Sequence, residues 1–194
     1  MIKAVIFDFF GVLSSRALGD FVTDYFDTND NHLQEVRKIR SQADLGQISR
    51  QELIKKLAAL AGVPIETVLS YENSAAINEK LIDFIRQKLK AKYKIGILSN
   101  ASGDYAKEEM SRDDYKLFDD VLVSYHFGLV KPNPEIYLLA AKRLGVKPAE
   151  AVFIDDKEIC TNGAKAIGMQ TVWYRDFPQM KQQLEKILTA GSDN

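Results

Sequence analysis

Apolar residues along this chain fall into two patterns. Five short runs, Ala4 to Phe7, Ile95 to Leu98, Val121 to Val123, Ala151 to Ile154 and Thr171 to Trp173, are rich in β-branched and large side chains with little polar alternation. A strand that is apolar on both faces needs cover on both, which is the condition of a parallel sheet sandwiched between helices. From the second run onward the strands alternate with stretches of helical periodicity. That order predicts an α/β fold built on a doubly wound parallel sheet, a Rossmann-like core.

The helical stretches carry start and stop signals. Asn133-Pro134-Glu135 supplies an N-cap, a proline where its missing N–H costs nothing, and an acid beside the positive end of the helix dipole. With Gly145 as the stop, a helix is predicted from Pro134 to Leu144. Residues 8 to 94 hold no strand-like run; Leu53, Leu57, Leu60 and Ala61 instead mark an amphipathic helix whose start, Ser49-Arg50-Gln51-Glu52, reads as a capping box. A further helix is predicted to start at Pro64. The stretch reads as a folded insertion: a core of residues 1–14 and 91–194, and a small α-helical cap of residues 15–90 hinged near Leu13 to Ser15 and Lys90 to Lys92. A last helix, Pro178 to Leu188, aligns Met180, Leu184, Ile187 and Leu188 on one face before a frayed tail.

Composition narrows the partners. A net charge of −1, with basic residues scattered among acids, offers no field for a polyanion and disfavours nucleic acid. Cys160 is the single cysteine, which excludes an intramolecular disulfide and fits a reducing compartment. No apolar run approaches the roughly 20 residues that cross a bilayer, and the apolar start ends at Asp8, so a cytoplasmic protein without a membrane partner is expected, as a monomer or a homodimer.

In open parallel sheets a ligand sits beyond the carboxyl ends of the strands. There this sequence places Asp8 after the first run, Ser99-Asn100 after the second and Asp155-Asp156 after the fourth, with Lys131 ahead of the capped helix. Taken singly, an Asp after a strand is more often a helix cap or turn former. Three carboxylates together repel one another at the low-dielectric end of a sheet unless a cation compensates. Oxygen ligands suit Mg²⁺ better than zinc or copper. Ser99, Asn100 and Lys131, with the free N–H groups of a following helix, then suit an anion such as a phosphoryl group. A carboxylate nucleophile at Asp8 would split a difficult hydrolysis into two displacements.

The same residues resemble the haloacid dehalogenase superfamily, mainly its phosphatase-like members with a helical cap inserted after the first strand. The likeness rests on Val5-Ile6-Phe7-Asp8-Phe9-Phe10-Gly11-Val12-Leu13, Ile97-Leu98-Ser99-Asn100, Val130-Lys131-Pro132-Asn133-Pro134-Glu135-Ile136-Tyr137, and Val152-Phe153-Ile154-Asp155-Asp156 followed by Asn162-Gly163. It implies Asp8 as nucleophile and metal ligand and Lys131 as a catalytic, phosphate-binding residue beside Ser99 and Asn100. Mg²⁺ would be held by Asp8, the Phe10 backbone carbonyl, Asp155 and Asp156, and the substrate would be a small phosphorylated metabolite. The family's second aspartate, which protonates the leaving group and activates water, is replaced by Phe10. That departure leaves two other readings: a phosphate-binding or regulatory protein with reduced catalysis, and a 2-haloacid dehalogenase, whose members carry an aromatic residue there but need no metal.

Other residues are expected to be bystanders. His126 reads as a turn residue and not a proton shuttle standing in for Phe10, His32 as exposed, Cys160 as packing against the sheet, and Trp173 and Tyr174 as cover for the sheet edge. Arg16, Arg37, Lys38 and Arg40 of the insertion are candidates for contacts to distal groups of a substrate, against the plainer reading of a solvated helix face.

Overall fold

The computed structural model describes residues 1–15, 17–26 and 32–190. Arg16, residues 27–31 and the tail 191–194 lie outside it, and with them one of the candidate arginines and the expected fraying. Five strands, β1 (Ala4–Phe7), β2 (Lys94–Ser99), β3 (Asp120–Val123), β4 (Ala151–Asp155) and β5 (Gln170–Trp173), form one parallel sheet in the order β3-β2-β1-β4-β5. Each contains the apolar run that predicted it.

Strand periodicity sorts the core into two layers. Val5 and Phe7 point to one face with Ile95, Ile97, Val152 and Ile154, while Ala4 and Ile6 point to the other with Leu98, Leu122 and Phe153. Burying residues of this size stabilises by about 1.5–3 kcal/mol each, which is why the centre of the sheet tolerates no polar alternation. The second face is covered by α8 (Pro134–Arg143) and α9 (Glu158–Ala166) through Ile136, Tyr137, Ala140 and Ala164. The first is covered by α5 (Glu79–Phe84) and α10 (Phe177–Thr189) through Leu81, Ile82, Met180 and Leu184. Helix α8 begins as its sequence dictates, with Asn133 Oδ1 accepting from the Glu135 N–H at 2.9 Å.

Four further helices make a separate apolar cluster: α1 (Ala17–Tyr25), α2 (His32–Asp44), α3 (Arg50–Ala61) and α4 (Ile65–Glu72). Ser49 caps α3 by accepting from the Glu52 N–H at 3.2 Å. The insertion leaves and rejoins the core at one place, where the Ser15 N–H donates to the Ala76 carbonyl at 3.0 Å and Ser14 bridges Ile77. Helix α5 and the π-helical turn Ile85–Leu89, which precede the expected hinge at Lys90 to Lys92, bury their apolar residues in the sheet cluster. Periodicity identifies these helices but not the layer that receives them.

Candidate active site

The strand order reverses beside β1: the chain steps from β1 to β2 to β3 on one side and then crosses to β4 on the other. Loops leaving β1 and β4 therefore diverge and open a crevice at their carboxyl ends. Asp8 enters it directly, its N–H held by the Ile154 carbonyl at 2.8 Å. Asp155 closes β4 beside it, and Lys131, from the loop before α8, bridges the two: its Nζ lies 2.7 Å from Asp8 Oδ1 and 2.7 Å from Asp155 Oδ2. All three side chains are buried. Backbone donors fix the carboxylates, Phe9 N–H on Asp8 Oδ1 at 2.7 Å and Lys157 N–H on Asp155 Oδ1 at 2.8 Å.

The lysine is positioned from two sides. Asn100 Oδ1 accepts the Lys131 N–H at 2.8 Å, and its Nδ2 donates to the Lys131 carbonyl at 3.0 Å. The Asn100 amide, expected to face a phosphoryl group, is thus engaged with the lysine backbone and acts on the site through it. On the other side Gly163 of α9 faces Pro132 so closely that a Cβ would stand 2.9 Å from the proline Cβ and 3.0 Å from its carbonyl oxygen. The Asn162-Gly163 motif is therefore a packing requirement that seats the Lys131-Pro132 segment.

Electrostatics follow from burial. Desolvation pushes the Asp8 carboxyl up to about 6, and Asp155 adds repulsion against the opposing pull of Lys131. Burial alone would lower the Lys131 ammonium, but Asp8 and Asp155 outweigh it and hold it above its ordinary value. Asp156 completes the group: carboxylate oxygens of Asp8, Asp155 and Asp156 lie within 4.8 Å of one another. With Lys131 these side chains carry a net charge of −2 when ionised, and their all-oxygen donors fit a hard divalent cation such as Mg²⁺. The turn after Asp8 directs the N–H groups of Val12, Leu13 and Ser14 onto the Phe9 carbonyl. The Phe10 ring packs edge-on against Phe9 at 5.0 Å and Tyr105 at 5.1 Å.

Asp8, Phe10, Asn100 and Lys131 line one cavity of about 160 Å³, closed on its far side by Leu18, Arg40, Asp44 and Leu53 of the insertion. Ser99 does not border it. Its hydroxyl is buried with no hydrogen-bond partner and lines a smaller void with Phe9, Ala101 and Tyr105. The free N–H groups expected after it are partly engaged, Ala101 N–H donating to Ser124 Oγ at 3.1 Å, and the next helices, α6 (Tyr105–Glu109) and α7 (Arg112–Tyr115), are only five and four residues long.

Of the remaining candidates, Arg40 reaches the cavity while Arg37 and Lys38 are exposed. His126 turns away to Asp104, 2.9 Å from Oδ1, and His32 is exposed. Cys160 is buried in the sheet cluster, its thiol pushed up to about 11 by burial. Trp173 does more than cover an edge, since its indole N–H donates to the Asp156 carbonyl at 3.1 Å. Asp44, Tyr105 and Lys157 escaped the sequence reading; Asp44 lies one helical turn from the candidate Arg40 on α2, where the sequence shows only a charged helix face.

The fold and site define a class, α/β proteins with a buried carboxylate and lysine cluster at the carboxyl edge of a parallel sheet. The sequence model of the haloacid dehalogenase-like hydrolases matches residues 2–168, and the chain belongs to that family. It is 26% identical to the D-ribitol-5-phosphate phosphatase of Bacteroides thetaiotaomicron, over 98% of this chain and 100% of that protein. It is 28% identical to the (S)-2-haloacid dehalogenase of Xanthobacter autotrophicus, over 99% of this chain and 81% of that one. A family enzyme from Bacteroides thetaiotaomicron, solved in complex with magnesium and inorganic phosphate, superposes with a TM-score of 0.70 at 26% identity, covering 90% of this chain and 95% of that chain.

Proposed function

We propose that the chain hydrolyses small phosphate monoesters, of the polyol or sugar phosphate type, with Mg²⁺ and through an aspartyl-phosphate on Asp8. The observation that carries this reading is the buried Lys131 ammonium shared at 2.7 Å between Asp8 and Asp155, with Asp156 completing a carboxylate group for a metal. Asp8 attacks phosphorus while Lys131 neutralises charge growing on the phosphoryl oxygens. Mg²⁺, held by Asp8, the Phe10 carbonyl, Asp155 and Asp156, supplies further charge neutralisation. Asn100 serves the phosphoryl pocket by seating Lys131, while the Ser99 hydroxyl, which does not border the cavity, is left out of it. The helices between Ser15 and Ala76 act as the cap, and the cavity of about 160 Å³ beneath them restricts the substrate to a small molecule. No described helix is long and apolar enough to cross a membrane.

The dehalogenase relative and Phe10 favour a second reading, attack by Asp8 on a carbon bearing halide. The paired Asp155 and Asp156 beside Asp8 weigh against it, because that reaction has no use for a metal. Phosphate and halide release, measured on panels of small phosphate esters and 2-haloacids, separate the two. The expected outcome is phosphate release that requires Mg²⁺ and falls to background in Asp8→Asn. Halide release, or phosphate release indifferent to Asp8→Asn, would sink the proposal.

A further inference from the structure

We infer that Asp44 of the insertion is the general acid and base of this site, in the place left by Phe10; the assignment rests on the phosphatase reading above. A sugar or polyol ester leaves as an alkoxide, which needs a proton, and the water that opens the aspartyl-phosphate must lose one. Phe10 can do neither. Apart from Asp8, the nucleophile, Asp44 is the only carboxylate among the described residues lining the cavity. Other proton carriers there are unsuited. The Tyr105 hydroxyl donates to Glu72 at 2.7 Å and is held above its ordinary pKa, first by burial. The Cys160 thiol is pushed up by burial, and Arg40 and Lys157 are basic side chains suited to holding an anion.

Position supports the role as well as chemistry. Asp44 is the last residue of α2, and its carbonyl accepts from Ser124 Oγ at 2.6 Å. That hydroxyl also receives the Ala101 N–H, next to the Asn100 that seats Lys131, so one serine ties the end of the cap helix to the catalytic loops. Two residues on, Gly46 turns at φ 71° against the Tyr125 carbonyl, where a Cβ would stand only 2.5 Å from the oxygen. The insertion is therefore pinned to the core at the point where Asp44 enters the cavity.

The charged groups acting on Asp44 are Arg40 on its own helix, Lys157 at the entrance to α9 and Lys131 before α8. Burial outweighs all three and pushes the carboxyl up to about 6, so both protonation states are accessible near neutrality.

The proton balance closes. As the Asp8 oxygen bonds to phosphorus, the P–O bond to the leaving group breaks and the alkoxide takes the Asp44 proton. Water then attacks phosphorus and gives a proton to the Asp44 carboxylate as the bond to Asp8 breaks. Phosphate leaves, with Asp8 ionised and Asp44 protonated as at the start.

The test compares an alkyl phosphate with p-nitrophenyl phosphate, whose phenolate needs no proton to leave. With Mg²⁺ present, Asp44→Asn should lower turnover of the alkyl ester by about 10²–10⁴-fold. With the aryl ester it should retain a rapid first-turnover burst of nitrophenolate and then stall, because the aryl-derived aspartyl-phosphate waits for its base. Adding Phe10→Asp to Asp44→Asn should restore alkyl ester turnover. A burst reduced as far as alkyl ester turnover would make Asp44 a structural residue and overturn the assignment, as would wild-type rates in Asp44→Asn. A wild type inert toward both esters would instead overturn the phosphatase reading itself.

Discussion

Phe10 and Asp44 face the same cavity from the core and from the insertion, and each is explained by the other. An apolar ring two residues after the nucleophile packs well, stacked edge-on between Phe9 and Tyr105, but cannot move a proton. Asp44 can, at a cost in stability. A free aspartate ionises near 3.8, whereas burial raises this one to about 6, so between those values the native state binds the extra proton and stability falls as pH rises. Asp44→Asn escapes that loss. Urea denaturation should find the variant more stable than wild type by about 1–3 kcal/mol at pH 7, the gap closing below about pH 4. A variant less stable at pH 7 would show that Asp44 is not held against its own ionisation. A site residue that weakens the fold it sits in is a common sign of function outweighing stability.

At the scale of elements, the junction between insertion and core is polar as well as covalent. Arg50, the first residue of α3, places Nε 3.0 Å from Glu72 of α4 and Nη1 2.6 Å from Glu108 of α6, and stacks 4.2 Å over the Tyr105 ring. Glu72 is 6% exposed, so its carboxyl group is cut off from water and held by Arg50 and the Tyr105 hydroxyl. Breaking a buried pair from one side leaves an uncompensated charge, which typically costs about 3–5 kcal/mol, whereas removing both sides can be near neutral. Because Arg50 is partly solvated, Arg50→Met should cost at the low end, about 3 kcal/mol by urea denaturation, and adding Glu72→Gln should recover most of it. Additive losses in the double variant would mean the pair is not coupled. Tyr105 belongs to this network and to the cavity wall, so the same contacts that join cap to core also support Phe10.

For the whole molecule, the metal group and the sheet are one structure. Asp8 and Asp155 end adjacent central strands, and Asp156 follows directly, so a cation bound by all three ties β1 to β4. Ligand binding to the native state alone stabilises it by mass action, about 2.7 kcal/mol at a hundredfold excess over Kd. Mg²⁺ should therefore raise the thermal midpoint of the wild type in a concentration-dependent way and raise that of Asp156→Asn much less. Equal shifts in both would place the cation elsewhere.

Sequence alone determined the layers and which polar residues meet at the edge of the sheet. Unbroken apolar runs alternating with helical stretches fit strands covered on both sides, and a polar residue that ends such a run in a parallel sheet emerges at its carboxyl edge, which brings Asp8, Asp155 and Asp156 to one crevice that Lys131 reaches from the loop before α8. Those are consequences of local pattern and strand direction. The tertiary structure decided what depends on contacts between distant segments. It returned the insertion at Ala76–Ile77 because α5 has its apolar partners on the sheet, and it turned the Asn100 amide to the lysine backbone. It also drew Asp44 out of a charged helix face and into a cavity. A helix of mixed polarity states which residues are apolar, but only the docking of that helix states which of its charges lose water.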